Sequence, residues 1–390
     1  MFYFYANTFL TLLIGNMFIY AMIIYARAVT GSDSVTGLVY AGNLIPPLIF
    51  GLYAGTVIDR YKRKRVIMIA QTTFIYTGAA MTYLTFQQAF RVEGFMLIAV
   101  MLVNGLGLSF IIPARMALLG DLFETKYIPR ESMKIQIMIM VAFGIAPMMV
   151  GLLRKYLDWY IIFSIIGMLY ASSTLLLIPV KTLPKPTPLR ESAWQSLVHG
   201  FRYIKTEPLI LSLLFATFVG LFLVGPLQVL LPEYAKSRLH LSEAERGSMM
   251  TMLGVGLIIG GALAQFLSHR MPRGIMIILG AGASGGAMLL IPVFDSAIPL
   301  ALTLAAAGVF GGLMSALIPA AIQQSTADAS RGRVMSLYNI VFQTSVASAA
   351  VVLAYWAKNS SLESAFRAAG GFILSGVCFS LLLRPLRRLK

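Results

Sequence analysis

The 390-residue chain is 58% hydrophobic and 12% charged, with a mean hydropathy of +0.81 and a formal net charge of +16. A soluble domain carries about 25% charged residues, so this composition cannot cover 390 residues with a water-facing surface. Recurrent apolar stretches near the ~20 residues of a bilayer-crossing helix point to a membrane protein, and roughly 10-residue alternating segments of a barrel are missing.

In chain order, the first apolar stretch follows Met1 almost at once, without a basic n-region and with more length than a signal-peptide core. It reads as a retained helix over 6–28. Further spans are predicted at 35–58, 65–87, 94–118, 132–153 and 159–180. After a polar stretch come 208–232, 245–268, 273–294, 297–321, 334–357 and 365–384. The lone cysteine, Cys378, lies in the last of these, which excludes an intrachain disulfide.

Most lysines and arginines fall in short runs on alternate connections, including Arg60 to Arg65, Arg115 to Lys134, Lys181 to Lys205, and Arg384 to Lys390. That bias predicts both termini in the cytoplasm of a multi-pass inner-membrane protein, and it explains the positive charge without a nucleic-acid partner. Between the halves, Pro184, Pro186 and Pro188 disfavour helix. From Arg190, the residues Trp194, Leu197, Val198, Phe201 and Ile204 share one helical face, predicting an amphipathic tether on the inner leaflet. Ile112-Pro113-Ala114 and Ile318-Pro319-Ala320 recur six segments apart, each followed by an acid, Asp121 or Asp328. The predicted fold class is therefore an all-α membrane protein with twelve transmembrane helices in two pseudo-symmetric six-helix bundles. Its parts are 1–180, a linker at 181–207, and 208–390.

The connection between the second and third spans reads Gly55-Thr-Val-Ile-Asp59-Arg60-Tyr-Lys62-Arg63-Lys64-Arg65. A basic inner loop is ordinary, but Gly55 and Asp59-Arg60 at this spacing are not. The segment resembles the G-x-x-x-D-R-x-G-R-[KR] loop of the major facilitator superfamily, with Lys62 in place of the usual glycine. A glycine here allows close helix approach, and the arginines suit carboxylates. Pro113-Ala-Arg115-Met-Ala-Leu-Leu-Gly-Asp121-Leu and Arg331-Gly-Arg333-Val-Met-Ser-Leu-Tyr338 resemble stretches of the drug and siderophore exporter branch, which includes macrolide-efflux and enterobactin-exporter proteins. Gly144-Ile-Ala-Pro147-Met-Met-Val-Gly151 matches the antiporter motif only in part, and Met101 stands where another antiporter motif has arginine.

The resemblance implies a conformational motif at Gly55, Asp59, Arg60, Arg63, Lys64, Arg115, Arg331 and Arg333. It further implies a central cavity lined by helices 1, 4, 7 and 10. Candidate lining residues are Asn16, Tyr20, Asn104, Thr217, Gln228 and Ser315, with Asn43, Gln136 and Gln343 from neighbouring helices. The plain alternative for each is a hydrogen bond to another helix.

All 15 acids and the three histidines map to loops or helix ends, and the basic residues likewise avoid helix centres. No metal site, cofactor loop or catalytic constellation is present in the sequence. The expected partners are a small-molecule substrate and the lipid bilayer. Protons are a candidate coupling ion, with Asp59 and Asp121 as inner acids, but uncoupled movement is equally open. The expected activity is export of an amphipathic compound by alternating access. A non-transporting sensor or assembly partner, and a lipid or lysolipid translocator, are the competing readings.

Overall fold

A computed structural model describes residues 1–87, 92–180, 202–204, 206–267, 270–326, 328–387 and 389, and among these residues no strand occurs. The first half contains α1 (Phe2–Thr30), α2 (Asp33–Arg60), α3 (Arg63–Phe86), α4 (Gly94–Leu122), α5 (Ile128–Tyr156) and α6 (Trp159–Leu176). The second contains α7 (Pro208–Gly220), α8 (Val224–Val229), α9 (Leu231–Ser237), α10 (Glu243–Leu267), α11 (Arg273–Leu290), α12 (Ala297–Ser325), α13 (Asp328–Asn359), α14 (Leu362–Leu382) and α15 (Arg384–Arg387). Most of the expected linker lies outside the described residues. Of its apolar face only Ile204 is described, and it is buried in a hydrophobic cluster.

Eleven helical stretches among the described residues are long and apolar enough to cross a membrane. The expected third span is present as the 24-residue α3, but Gln71 and threonines 72, 73, 77, 82 and 85 lower its hydropathy. Those hydroxyls bond back to carbonyls one turn earlier, as Thr77 does to Phe74 (3.0 Å) and Thr82 to Gly78 (2.9 Å). Back-bonding satisfies a hydroxyl without water, so α3 tolerates a polar composition.

The expected span at 208–232 is present as Pro208–Val229, but its helix is interrupted at Leu221–Leu223, between α7 and α8. Pro226 and Pro232 lack the amide hydrogens that a continuous helix needs, and Gly220 and Gly225 add backbone freedom beside the break. Elsewhere glycine ends a helix cleanly: Gly31, at φ 62°, donates its N–H to Arg27 and closes α1.

The chain divides into two compact units. Unit 1 comprises Met1–Gly31, Leu38–Ala193 and Glu243–Gly247; unit 2 comprises Ser32–Gly37, Trp194–Ser242 and Ser248–Lys390. The internal packing of the two is alike. In unit 1, α3 lies against α4 and α6, and α1 against α5. In unit 2, α11 lies against α12 and α14, and α7 and α8 against α13.

One detail of this repeat is set by glycine. A Cβ at Gly78 would come within 2.8 Å of the Gly167 Cα, so α3 and α6 approach backbone to backbone. In unit 2, a Cβ at Gly370 would lie 2.9 Å from the Gly285 carbonyl, at the matching α11–α14 crossing. Close approach of this kind replaces the hydrophobic effect, which lipid does not provide between helices.

Candidate functional site: a cationic motif above a buried polar network

The motif begins where α2 ends at Arg60, and Tyr61 donates its N–H to Val57 (3.0 Å). Lys62 then adopts φ −58° and ψ 115°, which any residue can take. The turn therefore forms without the family's glycine. Gly55 is a correction, because a Cβ there would meet nothing within 4 Å among the described residues. Among the described residues, no close approach is made at this position. The side chains of Asp59 and Arg331 lie outside the described set, and Arg60 is exposed.

Two motif cations act on helix ends. Arg63 Nη1 lies 2.6 Å from Asp121 Oδ1 and donates to the Ala117 carbonyl (2.9 Å), joining the start of α3 to the last turn of α4. Lys64 Nζ donates to the carbonyls of Ile178 (2.6 Å) and Val180 (2.9 Å), just beyond α6. Helix C-termini carry unsatisfied carbonyls and a partial negative charge, so both contacts are favourable. Arg63 and Asp121 are largely buried, with 16% and 8% side-chain exposure, so their attraction is less screened than a surface pair.

Arg115 lies off the helix centre, as expected of the basic residues, but it is not solvated. It lies within α4 at 2% exposure. Its Nη1 donates to the Thr8 carbonyl (2.9 Å) and its Nη2 to Asn7 Oδ1 (3.0 Å). No carboxylate pairs with it among the described residues. Asn7 Nδ2 in turn donates to the Ser173 carbonyl (2.7 Å) and Oγ (3.1 Å). Gln71 Nε2 donates to Thr11 Oγ1 (2.6 Å), which is 2.9 Å from Ser173 Oγ. Four helices, α1, α3, α4 and α6, thus share one buried network.

Sequence reading missed Asn7, Thr8, Thr11, Gln71 and Ser173. The available signal was a cluster of polar residues on the first turns of α1, with Gln71 opening a polar Gln-Thr-Thr step in α3.

Glu131 lies at a helix end as expected, in the first turn of α5, but at only 5% exposure. It accepts from the Tyr5 hydroxyl and lies 2.8 Å from Lys134 Nζ. In unit 1, Glu243 approaches Arg154 (3.4 Å) and Arg246 (3.6 Å), and Arg154 lies 5.1 Å from the Trp159 ring centre. These residues line a cavity of about 10 Å³ with Tyr20, whose buried hydroxyl has no partner. Such a volume holds about one water. Arg246, near the start of α10, is also buried, at 6% exposure.

The remaining candidates differ in their local surroundings. Asn16 bonds the Leu12 carbonyl (2.8 Å), and Asn104 donates to Thr77 Oγ1 (3.2 Å) between α4 and α3. Asn43 is 1% exposed and its amide has no partner on either atom. Gln136 is exposed, while Gln228 is buried and Gln343 half-buried. Thr217 and Ser315 bond back to Leu213 (2.8 Å) and Gly312 (3.0 Å). Arg333 is half-buried, and the apolar part of its motif packs as core through Val334, Leu337 and Tyr338.

The chain matches the profile of the Major Facilitator Superfamily over residues 4–242 and 213–390. It belongs to that family: it is a multi-pass membrane transporter for a small-molecule substrate, not an enzyme. It is 28% identical over 364 residues to the enterobactin exporter EntS of Escherichia coli O1:K1 / APEC, covering 88% of this chain and 82% of that one. The Shigella boydii serotype 4 (strain Sb227) protein of the same name is 28% identical over 361 residues, with the same coverages.

The fold is similar to a crystal structure of a D-xylose–proton symporter (TM-score 0.77, 15% identity, 98% of this chain and 96% of that one). It is also similar to a crystal structure of a mutant of the nucleoside transporter NupG (TM-score 0.80, 13% identity, 98% and 99%). Family membership does not favour a non-transporting reading.

Proposed function

We propose that this transporter exports a small amphipathic compound, of drug or siderophore-like character, across a bacterial inner membrane by alternating access. The observation that carries the reading is the similarity to enterobactin exporters across 88% of the chain. The motif supports it: Arg63 and Lys64 brace the ends of α4 and α6, where a moving bundle needs rigid helices. Residues 1–180 and 208–390 act as the two moving bodies, joined by 181–207, with both termini cytoplasmic. Asn16, Tyr20, Asn43, Asn104, Gln136, Thr217, Gln228, Ser315 and Gln343 are the proposed source of substrate contacts. Asn43 has first claim, because its buried amide has no competing bond. Protons are the proposed coupling ion.

The test is efflux from cells lacking the gene, followed by flux into liposomes carrying the purified protein. Gene-dependent efflux of an amphipathic compound is expected, with an imposed pH gradient accelerating it. No gene-dependent flux across a broad panel of such compounds would overturn the export assignment. Flux indifferent to the gradient would remove proton coupling alone.

A further inference from the structure

The C-terminal helix α15 is short, yet it is firmly seated. Leu386 is fully buried in unit 2, and the Gly274 N–H donates to the Leu389 carbonyl (3.1 Å). A Cβ at Gly274 would lie 1.7 Å from the Leu386 carbonyl, so α15 is pressed against the first turn of α11. This docking brings two pairs of arginines to one end of the bundle. Arg384 and Arg387 flank Leu386, while Arg270 and Arg273 precede and begin α11.

None of the four has a carboxylate partner among the described residues. Arg273 bonds the neutral Gln324 side chain, and Arg270 lies 4.5 Å from the Phe266 ring centre. Glu207, half-buried just before α7, forms no ion pair with any of them. The neighbouring helix ends carry exposed apolar residues, with Phe266 at 56% and Leu382 at 73% exposure. Cations bordering an apolar face match a molecule with an anionic head and hydrocarbon chains.

We infer that this arginine cluster at the α10–α11–α15 end of unit 2 binds the headgroup of an anionic phospholipid, whose chains lie along the adjacent apolar face. A basic residue near an anionic membrane surface contributes about 1 kcal/mol, equivalent to roughly fivefold in binding. Loss of two arginines should therefore weaken lipid binding by roughly thirtyfold.

The experiment is a lipid titration of the full-length protein in detergent, read by thermal unfolding and native mass spectrometry. Phosphatidylglycerol is compared with phosphatidylcholine and with inorganic phosphate, for the unmodified chain and for R384Q/R387Q. The variant K155Q/K236Q, which alters two exposed lysines elsewhere, gives the same change of net charge. Selective stabilisation by phosphatidylglycerol, lost in R384Q/R387Q and retained in K155Q/K236Q, is expected.

Equal loss in both variants would reduce the effect to net charge and overturn the site. Equal stabilisation by phosphatidylcholine would remove the need for an anionic head, and equal stabilisation by phosphate would replace the lipid with a soluble anion. If R384Q/R387Q fails to fold, R270Q/R273Q carries the same comparison.

Discussion

Arg115 is a buried cation held only by neutral acceptors, and this leads to an ordering of variants that side-chain size would not suggest. In Arg115→Met, Asn7 Oδ1 loses its donor. The Thr8 carbonyl remains within α1 and keeps its place in the helical bonding pattern. One unsatisfied buried acceptor costs about 1–3 kcal/mol. Removing a desolvated guanidinium offsets part of that, since the desolvation of a buried ion is several kcal/mol.

Asn7→Leu has the opposite character. It leaves the guanidinium in place at 2% exposure with a single carbonyl partner, and it strips Ser173 of two bonds. Breaking a buried charge's pairing typically costs about 3–5 kcal/mol. The double variant contains neither the charge nor the orphaned acceptor, so it should be more stable than Asn7→Leu alone. Thermal unfolding of the detergent-purified protein should rank Arg115→Met nearest the unmodified chain, the double variant next, and Asn7→Leu last. A melting temperature for Arg115→Met below that of Asn7→Leu, or strictly additive losses, would refute this account of the network.

The Arg63–Asp121 pair is partly buried, so Arg63→Gln and Asp121→Asn should couple by about 1–3 kcal/mol in a double-mutant cycle of unfolding, above the surface range of about 0–1. Arg63→Gln should be the worse single change, because it also removes the bond to Ala117; additivity within about 0.5 kcal/mol would mean that the pair contributes nothing. Gly78→Ala places a methyl 2.8 Å from the Gly167 backbone and should destabilise by about 1–3 kcal/mol, whereas Gly55→Ala enters open space and should be neutral or stabilising. Equal melting temperatures for these two alanine variants would sink the close-approach argument.

The helical spans and the family were legible in the sequence because both are local signals. Apolar length is read within one segment, and Gly55, Asp59 and Arg60 fall within six residues. Arg63 and Asp121 stood in recognisable motifs, although their partnership did not. The Arg115 network was illegible for a physical reason: Asn7 meets Gln71 and Ser173 across separations of 64 and 166 residues, and hydrogen-bond geometry leaves no periodic trace. The burial of Glu131 was not legible because a carboxylate at a helix end is normally solvated, and here the Tyr5 hydroxyl and Lys134 make burial tolerable. The break after α7 was visible as Pro226 and Pro232, but proline is common in transmembrane helices and does not by itself specify an interruption.

The internal repeat sharpens what Arg115 is for. Alignment on Ile112-Pro113-Ala114 and Ile318-Pro319-Ala320 puts Ala321 opposite Arg115, and both are buried. The two units therefore reuse one helix arrangement with different chemistry inside it. Around Ala321 the interior is an apolar cluster that includes Leu317, Ile318, Ile322, Val334 and Leu337, held by packing. Around Arg115 the same crossing region is fastened by directional hydrogen bonds among α1, α3, α4 and α6. Non-directional packing permits small sliding, whereas a directional network has few acceptable geometries. An intramembrane charge is ordinarily a functional site by default. Here both terminal nitrogens of the guanidinium are engaged within unit 1, so Arg115 acts by fixing the shape of that bundle rather than by meeting the substrate.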